Sequence, residues 1–131
     1  ANKTETLSEE QLSLEKGVEV YEIDGPFFFG IANKFDEQMR ILGDKPLVRI
    51  IRMRKVPFID STGIHNLEIF INSSRKENIH VILSGVNPTV HASLERMGVE
   101  ALLGDEYIFD NIHKAVAKAN IMASELKAQP K

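Results

Sequence analysis

The stretch Val56-Pro57-Phe58-Ile59-Asp60-Ser61-Thr62-Gly63 stands between two apolar patterns of different period. Before it, residues 47–53 form a near-continuous apolar run, as in a strand covered on both faces. After it, Ile64, Leu67, Phe70 or Ile71, and Ser74 recur at helical spacing over 64–74. Asp60-Ser61-Thr62-Gly63 therefore lies where a strand tip hands over to a helix, and Pro57 keeps Val56 extended before the turn. The first turn of a helix offers free N–H groups and a partial positive charge, so such a junction suits ligands and switches.

Working outward from this loop, the rest of the chain reads as scaffold. Val18-Glu19-Val20-Tyr21-Glu22-Ile23 alternates apolar and charged residues, the pattern of a half-exposed strand. Asp24-Gly25-Pro26 is turn chemistry, and Phe27-Phe28-Phe29 reads as a short second strand forming a hairpin with the first. A helix is expected over 32–42, with Phe35, Met39 and Leu42 on one face. On the far side of the loop, 79–83 reads as a strand. Asn87-Pro88 then starts a helix with stripe Val90, Leu94 and Met97, stopped by Gly98. Residues 107–109 read as a short edge strand. Asp110 is expected to cap a last helix with stripe Ile112, Val116, Ala119 and Met122. The order β-β-α-β-α-β-α-β-α implies an α/β fold with a mostly parallel sheet and an antiparallel first strand, flanked by about four helices.

The 131 residues suffice for one domain with a core of its own. The absence of cysteine excludes disulfides and thiolate metal sites. A net charge of −3 argues against a nucleic-acid surface. No stretch approaches the roughly 20 apolar residues of a spanning helix, and the polar N-terminus carries no signal-peptide pattern. The first residue is not Met, which fits a piece of something longer.

Ser61 is the sharpest chemical candidate. Its hydroxyl is expected at or beside the N-cap, where Asp60 or Ser61 would satisfy a free N–H. A phosphate there would suit the helix terminus, repel Asp60, and change the surface a partner meets. Ser61 and His65 share a helix side, but no third group completes a nucleophile–base arrangement, so no catalytic residue is assigned. His65, His80, His91 and His113 show no metal-ligand spacing on one helix, and no metal is expected. The acid pairs Glu9-Glu10, Asp36-Glu37 and Asp105-Glu106 read as solvated charge, and no Gly-rich phosphate loop of standard spacing is present. Alternation sends Phe28 to the face opposite Phe27 and Phe29, so both faces need a cover, from the core or from another domain. Arg49 and Arg52 are expected near strand ends or reaching outward. With Arg54 and Lys55 they form a basic run that could draw an anion to the Ser61 helix terminus.

The Asp60-Ser61-Thr62-Gly63 loop, set after a strand and before a helix, resembles the signature loop of STAS domains, the family of sulphate transporters and anti-sigma-factor antagonists. Gly25-Pro26-Phe27-Phe28-Phe29-Gly30 resembles a stretch of the STAS domains of SulP-type anion permeases. So do Asn87-Pro88 and the helix end Glu95-Arg96-Met97-Gly98. Where antagonists usually carry an acid before the signature loop, this chain has Arg52, which fits the permease branch better.

The resemblance implies a non-catalytic regulatory domain on the cytoplasmic side of the membrane, part of a sulfate or anion transporter. Residues 1–16 would be the arm from a preceding membrane domain, 17–126 the STAS domain, and 127–131 a flexible tail. Asp60, Ser61, Thr62 and Gly63 would form a partner or anion site, with Ser61 as phosphoacceptor. Phe27, Phe28 and Phe29 would contact another domain. The implied partners are the membrane domain of the same polypeptide, proteins meeting the Ser61 loop and the following helix, and a second copy through the whole transporter. No cofactor is implied, although nucleotide binding has been proposed for some members. The alternative is a free anti-sigma factor antagonist switched by serine phosphorylation.

Overall fold

The computed structural model describes residues 12–24 and 45–129. Within it, β2 (Val48–Lys55) is the middle strand of a sheet ordered β1-β2-β3, with β1 (Val18–Asp24) and β3 (His80–Ser84) on either side. The first six residues of β2 are buried, as the apolar run requires of a strand covered on both faces. β1 runs parallel to β2, from Val18 opposite Val48 to Asp24 opposite Lys55, and β3 runs parallel to β2 from His80 opposite Val48. The antiparallel first strand expected from the sequence is thus corrected: the described strands are all parallel. The segment 25–47 between β1 and β2 is long enough for the crossover that a parallel pair needs. The expected strand at Phe27, Phe28 and Phe29 and the helix over 32–42 lie outside the described residues.

Alternation along the strands builds two cores. Tyr21, Ile23, Ile51, Met53, Val81 and Leu83 face α1 (Ser61–Lys76), α2 (Pro88–Arg96) and α3 (Val99–Leu103). Val18, Val20, Val48, Ile50 and Ile82 face α4 (Ile112–Ala128), which contributes Ile112, Ala115, Val116, Ala119 and Ala123. Leu12 and Leu14 pack on this second core. Asn120 also clamps the segment before β1, its Oδ1 accepting from the Glu15 N–H at 2.8 Å and its Nδ2 donating to the Ser13 carbonyl at 2.8 Å. Lys127 Nζ donates to Glu15 Oε1 at 2.9 Å, so Lys127 and Ala128, read as tail, are the last residues of α4.

Four smaller points differ from the sequence expectation. Residues 105–107 form a 3-10 turn, and the edge strand expected over 107–109 reduces to one parallel bridge between Leu83 and Ile108. α3 is an additional helix that begins after Gly98 and ends at Gly104, both at positive φ. Met97, expected on the buried stripe of α2, is its half-exposed C-cap. Asn111, not Asp110, caps α4, its Oδ1 accepting from the Lys114 N–H at 2.9 Å.

Candidate functional site

The C-terminal edge of the parallel sheet carries two loops side by side, β2–α1 and β3–α2. In the first, Val56 and Ile59 are buried while Pro57, Phe58, Asp60, Ser61 and Thr62 are exposed. Asp60 is the N-cap of α1: its extended backbone brings Oδ1 to 2.8 Å from the Gly63 N–H, and its carbonyl accepts from Ile64 at 2.8 Å. Such a cap contributes about 1 kcal/mol. A Cβ at Gly63 would lie 2.8 Å from Ile59 Cγ1, so the loop folds this tightly onto the helix only with glycine there.

Because Asp60 does the capping, Ser61 is the first helical residue, exposed, and among the described residues no hydrogen bond engages its hydroxyl. Ser61, Thr62, His65 and Ile69 continue as one exposed face of α1, with Phe58 (53% exposed) at its foot. No acid stands in the first turn of the helix. Asp60, Ser61, Thr62 and Gly63 are therefore one surface at a helix start. Phe27, Phe28 and Phe29 lie outside the described residues.

The second loop holds the first. Asn87 caps α2 with Oδ1, 2.8 Å from the Val90 N–H, while its Nδ2 donates to the carbonyls of Val56 at 3.1 Å and Pro57 at 3.4 Å. One side chain thus starts a helix and ties down the segment leading to Asp60. The sequence signalled only the cap; the clue to the second role is that asparagine, unlike aspartate, also has a donor and, unlike serine, carries it on an atom separate from the capping oxygen. Gly85 has φ 67, and a Cβ there would lie 2.7 Å from the Arg54 nitrogen, so glycine allows the two loops to meet.

The basic run does not form a free anion site. Glu22 collects it: Oε1 is 3.0 Å from Arg54 Nη2 and 4.0 Å from Arg52 Nη1, and Oε2 is 3.1 Å from Lys55 Nζ. Arg49, expected with Arg52 near a strand end or reaching outward, is the second residue of β2, and neither side chain reaches outward. Arg49 is fully buried beneath α1, its guanidinium 5.1 Å from the Tyr21 ring and 5.2 Å from the Phe70 ring, with Nη1 donating to Ser74 Oγ at 2.9 Å. A guanidinium is weakly hydrated and planar, and an aromatic sandwich suits it. Arg52 is 4% exposed.

His65, His80 and His113 are exposed and separate. His91 is different: its Nε2 lies 3.3 Å from Glu100 Oε2 and 3.5 Å from Asp105 Oδ1, so Asp105 is not simply solvated charge. The Glu100 carboxyl is held above its ordinary range by loss of water contact, then by a hydrogen bond with Asp105 and repulsion from Glu95 and Asp105, with His91 opposing. The acid pairs at 9–10 and 36–37 lie outside the described residues. No described helix is long and apolar enough to cross a membrane.

The profile of the STAS domain family matches residues 11–119. A solved sulfate transporter family protein from Wolinella succinogenes is 41% identical, over 88% of this chain and 94% of that one, with a TM-score of 0.78. A SulP transporter STAS domain from Vibrio cholerae is 33% identical over 97% of this chain and 98% of that one, also at 0.78. The chloroplastic sulfate transporter 4.1 of Arabidopsis thaliana is 26% identical over 113 residues, 76% of this chain but 16% of that protein. This chain therefore matches only a small part of the length of such transporters. A parallel sheet with its capped Asp60–Gly63 turn, matched over nearly its whole length by these proteins, makes the chain a member of the STAS domain family, related to the STAS domains of SulP-type sulfate transporters.

Proposed function

We propose that this chain is the cytoplasmic regulatory STAS domain of a membrane anion transporter, and that it acts through protein contact rather than catalysis. The contact surface is the Asp60-Ser61-Thr62-Gly63 loop with the exposed face of α1, and phosphorylation of Ser61 sets its state. The observation that carries this reading is the division of labour at the helix start: Asp60 caps, which leaves the exposed Ser61 hydroxyl available to a kinase. A phosphate at that position would gain from the helix dipole and from the free N–H groups of the first turn, so the fold would tolerate it. It would also add up to about two negative charges beside Asp60, enough to turn an acidic partner surface away.

The relatives support the membrane context, since their names describe sulfate transporters many times longer than the matched segment. In this reading residues 1–16 are the arm from the membrane part, with 12–16 docked on α4, and Phe27, Phe28 and Phe29 contact that part or a neighbouring domain. Two experiments test the proposal. Fractionation of source cells should find the polypeptide in membranes at a mass well above 14.7 kDa; a soluble product of that mass would replace the transporter assignment with a free antagonist. Ser61→Asp should keep the fold and weaken capture of the membrane domain or another bound protein, whereas Ser61→Ala should not. Equal capture by both variants and the wild type would end the switch reading.

A further inference from the structure

One turn beyond the Asn87 cap, three side chains from successive elements converge: His91 on α2, Glu100 on α3, and Asp105 just beyond. Gly98 and Gly104, both at positive φ, turn the chain twice and fold Glu100 and Asp105 back onto His91. The three ligand atoms lie within 4.8 Å of one another. We propose that they form a site for a divalent cation of the zinc class.

The spacing is the main reason. Two ligand atoms on one tetrahedral zinc, each bonded at about 2.05 Å, lie about 3.3 Å apart. His91 Nε2 stands 3.3 Å from Glu100 Oε2 and 3.5 Å from Asp105 Oδ1. Nε2 also carries at most one proton, so it cannot donate fully to both oxygens, whereas a shared cation attracts all three atoms at once. The donor set of one imidazole and two carboxylates favours zinc over magnesium or calcium, which prefer oxygen alone.

The surroundings favour a cation as well. His91 and Asp105 line a cleft of about 640 Å3 that also presents Glu95 and Asp110, and its cation, Lys114, pairs with Asp110 at 3.3 Å. Asp105 is largely exposed, which leaves an entry path and room for water or a partner's ligand at the fourth position. A bound ion would staple α2 to the α3 segment one turn beyond Asn87, whose carbonyl accepts from the His91 N–H at 2.8 Å.

The test is calorimetric titration of the EDTA-treated chain with Zn2+ and separately with Mg2+, at neutral pH in a non-coordinating buffer. One equivalent of Zn2+ should bind, with at least about tenfold weaker binding of Mg2+. His91→Ala and Asp105→Asn should each weaken Zn2+ binding about tenfold or more, while His113→Ala should leave it unchanged. Should His91→Ala fail to fold, Asp105→Asn and the imidazole nitrogen shifts of His91 on adding Zn2+ give the same reading. No heat up to millimolar Zn2+, or unchanged affinity in the His91 and Asp105 variants, would overturn the site and leave an exposed ion-pair cluster.

Discussion

Asn87 offers the sharpest check on how the Ser61 loop is held. Asn87→Ala removes the cap bond to Val90, a loss of about 1 kcal/mol. It also removes the Nδ2 bonds to the Val56 and Pro57 carbonyls, worth about 1 kcal/mol more. The total of about 2 kcal/mol corresponds to a fall of about 8 °C in Tm for a domain of this size. Asn87→Ser separates the two roles. Serine caps about as well as asparagine but has no donor reaching the facing loop, so only the second contribution, about 1 kcal/mol, should go. Equilibrium urea unfolding followed by circular dichroism measures both losses, with m expected to stay constant. Amide exchange should rise across residues 56–64 in both variants. An Asn87→Ser protein as stable as wild type, with unchanged exchange in that segment, would refute the idea that Asn87 braces the loop.

Other substitutions check neighbouring claims. Asp60→Ala should cost about 1 kcal/mol in urea unfolding, while Ser61→Ala should stay within about 0.5 kcal/mol of wild type, because only Asp60 caps α1. Arg49→Ala should cost about 3 kcal/mol by the same assay, through the cavity left between Tyr21 and Phe70 and the lost bond to Ser74. Arg49→Met keeps most of the volume and should cost under about 1.5 kcal/mol. Glu100 is held above its ordinary value of 4.5, so the folded state favours its protonated form. That contribution to stability is complete below about pH 4.5 and is lost as pH rises through the raised value. In metal-free buffer, Tm measured against pH should therefore fall less for Glu100→Gln than for wild type as pH is raised through that window; parallel curves would contradict the shift.

Much of this protein was legible locally. The alternation of Val18 to Ile23, the apolar run of β2, the helical stripe from Ile64 to Ser74 and the Asn87-Pro88 start each depend on residues within a few positions of one another, the range over which helix and strand patterns are set. The placing of Asp60-Ser61-Thr62-Gly63 at the start of α1 follows from the same short-range reading. Even locally the reading could fail where two candidates compete. Asp110 and Asn111 can both cap, and the choice fell to Asn111, whose backbone is extended and whose Oδ1 reaches Lys114.

Local pattern thus sufficed for most of the described elements and for the strand–turn–helix that carries Ser61. Tertiary structure alone decided which strands pair and which charges meet. β1 lies parallel to β2, and no pattern inside β1 encodes that. Arg49 could look like an outward cation in one dimension because its aromatic neighbours, Tyr21 and Phe70, belong to β1 and α1. The two bonds from Asn87 to the 56–57 backbone, and the meeting of His91 with Glu100 and Asp105, join residues that share no helical or strand spacing. Such contacts arise only once burial of the two apolar faces of the sheet has fixed how the helices lie on it, since hydrophobic burial sets the packing and the directional polar contacts follow from it.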